Sequence, residues 1–273
     1  MNDLFSILTE TEITPKINYT PPELWMGDCL ELMKQIPDRS VDAIITDPPY
    51  GTTACKWDSV IPFDLMWEQL NRVIKPNGAI VLFGSEPFSS ALRMSNIKNY
   101  KYDWIWEKTT KTNHLNAKKQ PLRRTECISV FYTKQATYNA QGLTHANNSN
   151  FRPNHFKYEK GDKIYGKQNE HSNNSLYTNY PDNVLSFANP NNNSLHPTQK
   201  PVELMEYLIK TYTNENEMVL DFTAGSFTTA IACMNTKRKF IGIEMDETHF
   251  NTGVDRVAKH KVALNHLPNL GNN

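Results

Sequence analysis

The chain is predicted to adopt an α/β fold, a doubly wound and mostly parallel sheet of Rossmann-like type with an inserted recognition region. Three observations carry this. Short apolar runs stop abruptly at proline or small polar residues; segments with one apolar stripe at helical spacing alternate with them; and a single long polar stretch interrupts the alternation. The 273 residues, 38% of them hydrophobic, suffice for one large domain with an inserted lobe.

The first twenty or so residues read as a poorly defined arm. Trp25-Met26-Gly27-Asp28 then leads into a helix whose Cys29, Leu32, Met33 and Ile36 recur at i, i+3, i+4 and i+7. Asp28 stands at its N-cap with Glu31 three residues on, a capping-box pattern, and Pro37 ends it. Ala43-Ile44-Ile45 forms a buried strand ending at Thr46. Pro62 opens a helix striped by Phe63, Met66, Trp67, Leu70 and Ile74. Lys75-Pro76-Asn77-Gly78 turns the chain into a strand over Ala79–Phe83. A helix near Phe88–Met94 follows, then strands at Tyr102–Trp106 and Ile128–Tyr132.

From Thr133 to Leu195 apolar residues thin out and Asn, Tyr, His, Lys and Gly accumulate, with NPNNNS at Asn189 to Ser194. An irregular polar stretch of this length is functional or disordered rather than a plain connection. Regular structure returns at His196-Pro197-Thr198-Gln199-Lys200-Pro201, where Pro201 starts a helix burying Val202, Met205, Ile209 and Tyr212. Met218–Leu220 is a strand, Asp221–Phe227 a loop of mostly small residues, Thr228–Asn235 a helix and Lys239–Glu244 a strand ending in an acid. Thr252 to Leu264 closes the chain as an amphipathic helix. No internal repeat is visible.

Composition narrows the classes. Basic and acidic residues balance at 29 each, so the global basic excess of many nucleic-acid binders is missing. Charge is lopsided locally: Lys98, Lys101, Lys108, Lys111, Lys118, Lys119, Arg123 and Arg124 face only Asp103 and Glu107. Such a run also fits a solvated face. Here it adjoins an aromatic, amide-rich insertion (Tyr138, His145, Phe151, His155, Tyr158, Tyr165), which suits phosphate contacts beside base contacts. Cys29, Cys55, Cys127 and Cys233 are far apart, so neither a zinc site nor a disulfide framework is expected. The acid-containing N-terminus has no signal-peptide core, and no apolar run reaches membrane-spanning length. A soluble protein of a reducing compartment, the cytoplasm, is expected, with no membrane partner.

Two blocks carry the chemistry. After its strand, Asp47-Pro48-Pro49-Tyr50 forms a rigid elbow, because neither proline can donate to a sheet ladder. Asp47 and the proline carbonyls offer acceptors and Tyr50 a flat face, which suits a planar amino group such as a nucleobase amine. Taken alone, the tetrapeptide is also turn chemistry. In the second block Glu244 lies 23 positions after Asp221, near the spacing at which an acid of a nucleotide-binding βαβ unit meets ribose hydroxyls. With Gly225 the only glycine of its loop, a pyrophosphate is poorly served, whereas an adenosine ligand without one fits better; S-adenosylmethionine is such a ligand. An ordinary βαβ crossover is the plain alternative.

Together, D-P-P-Y, a polar insertion, H-P-T-Q-K-P, D-F-x-A-G-S and the acid closing the next strand resemble the β-class amino DNA methyltransferases, over roughly Trp25 to Val257. The resemblance implies one methyltransferase domain spanning 1–273, with a catalytic half at 22–108, a target-recognition insertion at 109–195 and a cofactor-binding half at 196–260. It implies S-adenosylmethionine as the sole cofactor, no metal, and double-stranded DNA as substrate. Asp47, Pro48, Pro49 and Tyr50 would be catalytic. Asp221, Ala224, Gly225, Ser226, Phe227 and Thr228 would form the cofactor loop, with Glu244 on the ribose, Lys200 near the methionine end and Asp28 near the adenine. Lys111, Lys118, Lys119, Arg123 and Arg124 would contact DNA.

Where the family reads G-S-G-T-T, this chain has Phe227, which takes positive φ only at a cost. Phe227 also begins a stripe with Ala230, Ile231 and Met234, so it is expected to turn inward. The two halves would bring the Asp47 and Asp221 strands side by side, with a flipped target base stacked on Tyr50. No Pro-Cys dipeptide is present for carbon-5 cytosine chemistry. Aspartate at 47 points to N6 of adenine, since cytosine-N4 enzymes of this type more often carry serine there. Cytosine-N4 methylation and a degenerate DNA-binding relative are the alternatives. The family also admits a homodimer, a cognate restriction endonuclease as functional partner, and a bacterial or phage origin.

Overall fold

The computed structural model describes residues 20–52, 58–145, 176–190 and 199–266. An eight-stranded sheet runs through it in the order β1-β10-β9-β2-β3-β5-β4-β8. Its strands are β1 (Glu23–Met26), β2 (Val41–Thr46), β3 (Ile74–Gly84), β4 (Tyr100–Thr112), β5 (Arg123–Phe131), β8 (Val184–Phe187), β9 (Met218–Asp221) and β10 (Lys239–Glu244). Only β5 runs antiparallel to its neighbours, β3 and β4; the remaining pairs are parallel. A separate two-stranded sheet joins β6 (Thr144–His145) and β7 (Tyr177–Thr178).

Helices cover both faces, as the alternation of elements predicts. One layer is α1 (Cys29–Met33), α2 (Phe63–Val73) and α3 (Phe88–Ser95), whose Met33, Leu70 and Leu92 pack with Ile44, Ile80 and Leu82. The other is α4 (Val202–Tyr212), α5 (Thr228–Asn235) and α6 (Glu247–Asn265), whose Leu208, Ala230 and Val257 pack with Ala43, Ile45 and Val81. Strand β2 is buried on both faces, which is why its sequence reads as a continuous apolar run.

The two halves meet where the motifs require. Strands β2 and β9 are parallel neighbours, with Ala43 opposite Val219 and Ile44 opposite Leu220. Asp47 and Asp221 therefore emerge at the same carboxyl edge, where strand order reverses and open α/β sheets bind ligands.

Several boundaries differ from expectation, each for a local reason. Helix α1 stops at Met33 and continues to Ile36 in tighter i→i+3 turns. Asp28 accepts from the Leu30 and Glu31 amides, but Glu31 pairs with Lys34 at 2.7 Å instead of completing a capping box. Lys75–Gly78 is an irregularity inside β3 rather than a turn before it: the register with β2 jumps from Val41–Ile74 to Ala43–Ala79. Helix α6 starts at Glu247, capped by the Asp246 carboxylate on the His249 amide at 2.9 Å. Within the polar stretch, β8 adds an edge strand beside β4 and β6 pairs with β7, so this region is partly regular. Strand β1 lies on the other edge, beside β10. Phe151, His155, Tyr158, Tyr165 and His196 to Thr198 lie outside the described residues.

Phe227 adopts φ 56° and ψ 38°, the left-handed conformation its missing glycine would have taken freely. Its ring is wholly buried and meets Phe240 and Phe250 edge-on. Two glycines make the space. A Cβ at Gly253 would stand 2.2 Å from Phe227 Cδ2, and one at Gly242 would stand 2.7 Å from its Cε1. The inward turn expected from the stripe is what the structure contains. Gly253→Ala should accordingly destabilise the fold by about 1–3 kcal/mol through overpacking. Once Phe227→Ala removes the ring, the same change should stabilise by up to ~1 kcal/mol, as alanine does for glycine inside a helix. A denaturation cycle giving the same cost for Gly253→Ala in both backgrounds would contradict this packing account.

Candidate functional site

At the carboxyl edge of β2, β9 and β10 lies a cavity of about 360 Å³. Its lining gathers most of the residues singled out in the sequence: Asp28, Asp47 to Tyr50, Lys200, Asp221, Ala224 to Ser226, Thr228 and Glu244. Phe227 does not line it, because its ring points into the core behind the loop. Lys111, Lys118, Lys119, Arg123 and Arg124 also lie outside the lining, on the β4–β5 hairpin.

A buried hydrogen-bond chain ties the two strand ends. Thr46 Oγ1 donates to Asp221 Oδ1 at 2.5 Å and lies 2.7 Å from Thr223 Oγ1, which donates to the Asp47 carbonyl at 3.1 Å. Thr229 Oγ1 donates to the other Asp221 oxygen at 2.5 Å. Burial outweighs these donors and pushes the Asp221 carboxyl up to about 6. Glu244 fixes the loop through both oxygens, accepting from the Gly225 amide and the Asp246 amide at 2.8 Å each. Arg256, on α6, braces the loop from behind by donating to the Ser226 carbonyl at 3.1 Å and to Thr228 Oγ1 at 2.8 Å.

The D-P-P-Y elbow has an equally specific setting. Tyr50 hydroxyl donates to Asp47 Oδ1, and Lys200 Nζ donates to Asp47 Oδ2. Burial, with Asp47 and Glu126 beside it, pushes the Tyr50 phenol up. Burial opposes the Lys200 charge, but Asp47 and Glu126 overcome it and hold the ammonium above its usual range. The Tyr50 ring stands 5.0 Å from that of Phe88. Asp58 clamps the following turn: one oxygen accepts from the Tyr50 and Gly51 amides at 2.8 and 2.9 Å, the other from Thr52 at 2.9 Å. The Cys29 thiol, also in the lining, is pushed up to about 12 by burial and by Asp28, which leaves it a poor nucleophile.

Asp58, Glu126 and Arg256 went unnoticed in the sequence. Glu126 and Arg256 act on residues far along the chain, and Asp58, which closes a local turn onto Tyr50 to Thr52, carries no distinguishing sequence signal. The hairpin charges divide. Arg123 donates to Ser85 Oγ at 2.7 Å, and Arg124 pairs with Glu107 at 3.3 Å, so both already have work within the fold. Lys111, Lys118 and Lys119 are exposed near the hairpin tip. Strand β4 runs in the same direction as β3 and β2, so this tip projects past the edge that holds the cavity.

The raised Asp221 carboxyl has a sign that can be checked. Its folded value, about 6, lies above the ordinary 3.8, so between these values the native state keeps a proton that the unfolded chain releases. The stability this group contributes is greatest below pH 3.8 and is lost as pH rises through about 6. Relative to Asp221→Asn, the wild type should lose melting temperature across that window and hold a constant difference above it. Scanning calorimetry showing a flat difference throughout would contradict the assignment.

Comparison with known proteins agrees with this geometry. A family model described as DNA methylase (N6_N4_Mtase) matches residues 41–255. The Type II methyltransferase M.BglII of Bacillus subtilis is 27% identical over 91% of this chain and 72% of its own length. The DNA adenine methyltransferase YhdJ of Escherichia coli K12 is 29% identical over 86% and 82%. Among solved structures, the M1.HpyAVI–SAM complex aligns at 27% identity with a TM-score of 0.57, covering 86% of this chain and 98% of that one. PvuII DNA methyltransferase, cytosine-N4-specific, shares the fold at 17% identity and a TM-score of 0.62, covering 93% and 89%. The chain belongs to the N6/N4 DNA methylase family.

Proposed function

We propose that the chain transfers a methyl group from S-adenosylmethionine to N6 of adenine in double-stranded DNA. One observation carries the reading: Asp47 and the Asp221–Thr228 loop, 174 positions apart at their acids, open into one cavity at the strand-order reversal. The lining fits the cofactor. Glu244 offers carboxylate lone pairs beyond the two amides it holds, Asp28 adds a second carboxylate, and Leu30, Ile61, Phe222 and Ile243 supply apolar walls for an adenosine. Bound there, S-adenosylmethionine supplies an electrophilic methyl group on its sulfonium.

The chain's own residues do the positioning. A base inside a duplex cannot reach the cavity and must be flipped out, and Tyr50 provides the ring on which it stacks. Asp47 Oδ and the Pro48 carbonyl accept the two amino hydrogens, holding the nitrogen so that its lone pair, otherwise delocalised into the ring, is directed at the methyl donor. Transfer would break the methyl–sulfur bond, leaving a neutral thioether, as the carbon–nitrogen bond forms, and the surplus proton of the nitrogen would leave along the hydrogen bond to Asp47. Catalysis here is orientation plus a preorganised anionic acceptor. The aspartate favours adenine over cytosine as the family resemblance reads it, and YhdJ, a relative across most of the chain, carries adenine in its name.

Incubation with duplex DNA and S-adenosylmethionine, followed by digestion to nucleosides and mass analysis, should yield N6-methyladenine. N4-methylcytosine would overturn the base, and no methylated nucleoside would overturn the enzyme. Asp47→Ala should lower the transfer rate by roughly 10²–10³-fold, the scale of a lost preorganised group, while calorimetry shows cofactor affinity within a few-fold of wild type. Replacing Lys118 and Lys119 with Ala should weaken binding to all sequences alike. The slope of log affinity against log salt should become shallower by about 1–2 units, and an unaltered slope would remove the hairpin tip from the DNA interface.

A further inference from the structure

Each oxygen of the Asp47 carboxylate already accepts one hydrogen bond: one takes the Tyr50 hydroxyl, the other the Lys200 ammonium. An amino group arriving at Asp47 competes with them for its lone pairs and weakens the bond to one of them. Where Lys200 yields, a buried ammonium gives up a charge-assisted bond, and a second anion beside it offsets that loss.

Such an anion is within reach. Glu126, on β5 opposite Trp106 of β4, has Oε2 3.9 Å from Lys200 Nζ. That oxygen is buried and makes no hydrogen bond. On its far side Lys108 Nζ lies 3.3 Å away. The side chains of Lys108, Glu126 and Lys200 are 13%, 12% and 8% exposed, so the charges have little water to turn to. Aromatic rings line the row as well, with Lys200 Nζ 5.1 Å from the centre of the Phe83 ring and Lys108 Nζ 4.9 Å from that of Trp106. Glu126 is not among the residues that line the cavity.

We infer that Glu126 is a positioning residue that receives the Lys200 ammonium when Asp47 turns to the target amino group. Lys200 then exchanges one carboxylate for another by moving about 1 Å toward the ordinary charge-assisted hydrogen-bond distance. Lys108 holds Glu126 in place during the exchange. No covalent bond changes in this step and no proton is transferred; a single ammonium alternates between two acceptors. The inference rests on the methyl-transfer reading and adds to it a residue that acts through Lys200.

Single-turnover methylation of duplex DNA by the full chain tests it. Glu126→Gln, nearly isosteric and uncharged, should slow transfer on the order of tenfold to a hundredfold, with S-adenosylmethionine and DNA affinities unchanged. Glu126→Asp should restore most of the rate. In a Lys200→Met background, Glu126→Gln should cost almost nothing more, because its partner is already gone. A wild-type rate in Glu126→Gln would overturn the inference. So would an equal loss with and without Lys200, which would mark Glu126 as structural only. If Glu126→Gln does not fold, a Glu126→Asp variant that folds normally yet is as slow as Lys200→Met would overturn it too. A wild-type chain that methylates no DNA overturns the reading beneath, whereas an active wild type matched by Glu126→Gln sinks this inference alone.

Discussion

The parallel pairing of β2 with β9 is the constraint on which the rest of the structure depends. It joins segments about two-thirds of the chain apart, and without it the acids of the two motifs have no common edge. Thr46 and Asp221 seal that pairing with a 2.5 Å hydrogen bond across 175 positions, at the very end of the two strands. The seal comes at a cost, since Asp221 is buried without a cationic partner among its hydrogen bonds and its carboxyl is pushed up accordingly. Hydroxyl donors from Thr46 and Thr229 offset part of that cost. The threonines belong to the architecture as much as to the site.

Phe227 shows how one local rule is broken without loss of the fold. A left-handed phenylalanine costs about 1 kcal/mol or more, whereas burying its ring recovers roughly 1.5–3 kcal/mol. That recovery requires a cavity for the ring, and Gly242 and Gly253 provide it from a strand and a helix. The ring fills space behind the loop, so the loop's cavity side keeps its small residues, Ala224, Gly225 and Ser226. The departure from G-S-G-T-T is therefore compensated within the core, and it does not reach the cavity.

Much of this was legible in the chain because it is written in local signals. The apolar run of β2, the stripe of α2 and the acids ending β9 and β10 each follow from period and burial, and the two halves assembled as their motifs implied. Features set by tertiary partners were not legible. Strand β1 is four residues long and half exposed, and β8 sits in a polar stretch, so neither has enough apolar pattern to announce itself. Lys75-Pro76-Asn77-Gly78 carries turn chemistry, yet the register jump against Val41 and Ala43 absorbs it within β3. Asp58 and Arg256 brace loops through backbone groups, a role that any acid or base of the chain could have filled.

The same distinction explains how a chain with no net charge presents a basic arm. Its positive residues between Lys98 and Arg124 do two different jobs. Lys108 and Arg124 are paired with Glu126 and Glu107, and Arg123 donates to Ser85, so these three also bind neighbours within the fold. Lys111, Lys118 and Lys119 remain exposed at a tip that overhangs the cavity edge. Lys98, Lys101, Arg123 and Arg124 are exposed as well, and Lys108, its side chain 13% exposed, is the member withdrawn from solvent. Counting charges along the sequence therefore overstates the field at the surface, and at the same time misses that a buried member of the run, Lys108, reaches through Glu126 and Lys200 to the carboxylate of Asp47. The lysines that face outward and the inward pair Lys108–Glu126 belong to one β-hairpin, so the basic surface and the start of the row leading to Asp47 are built from the same two strands.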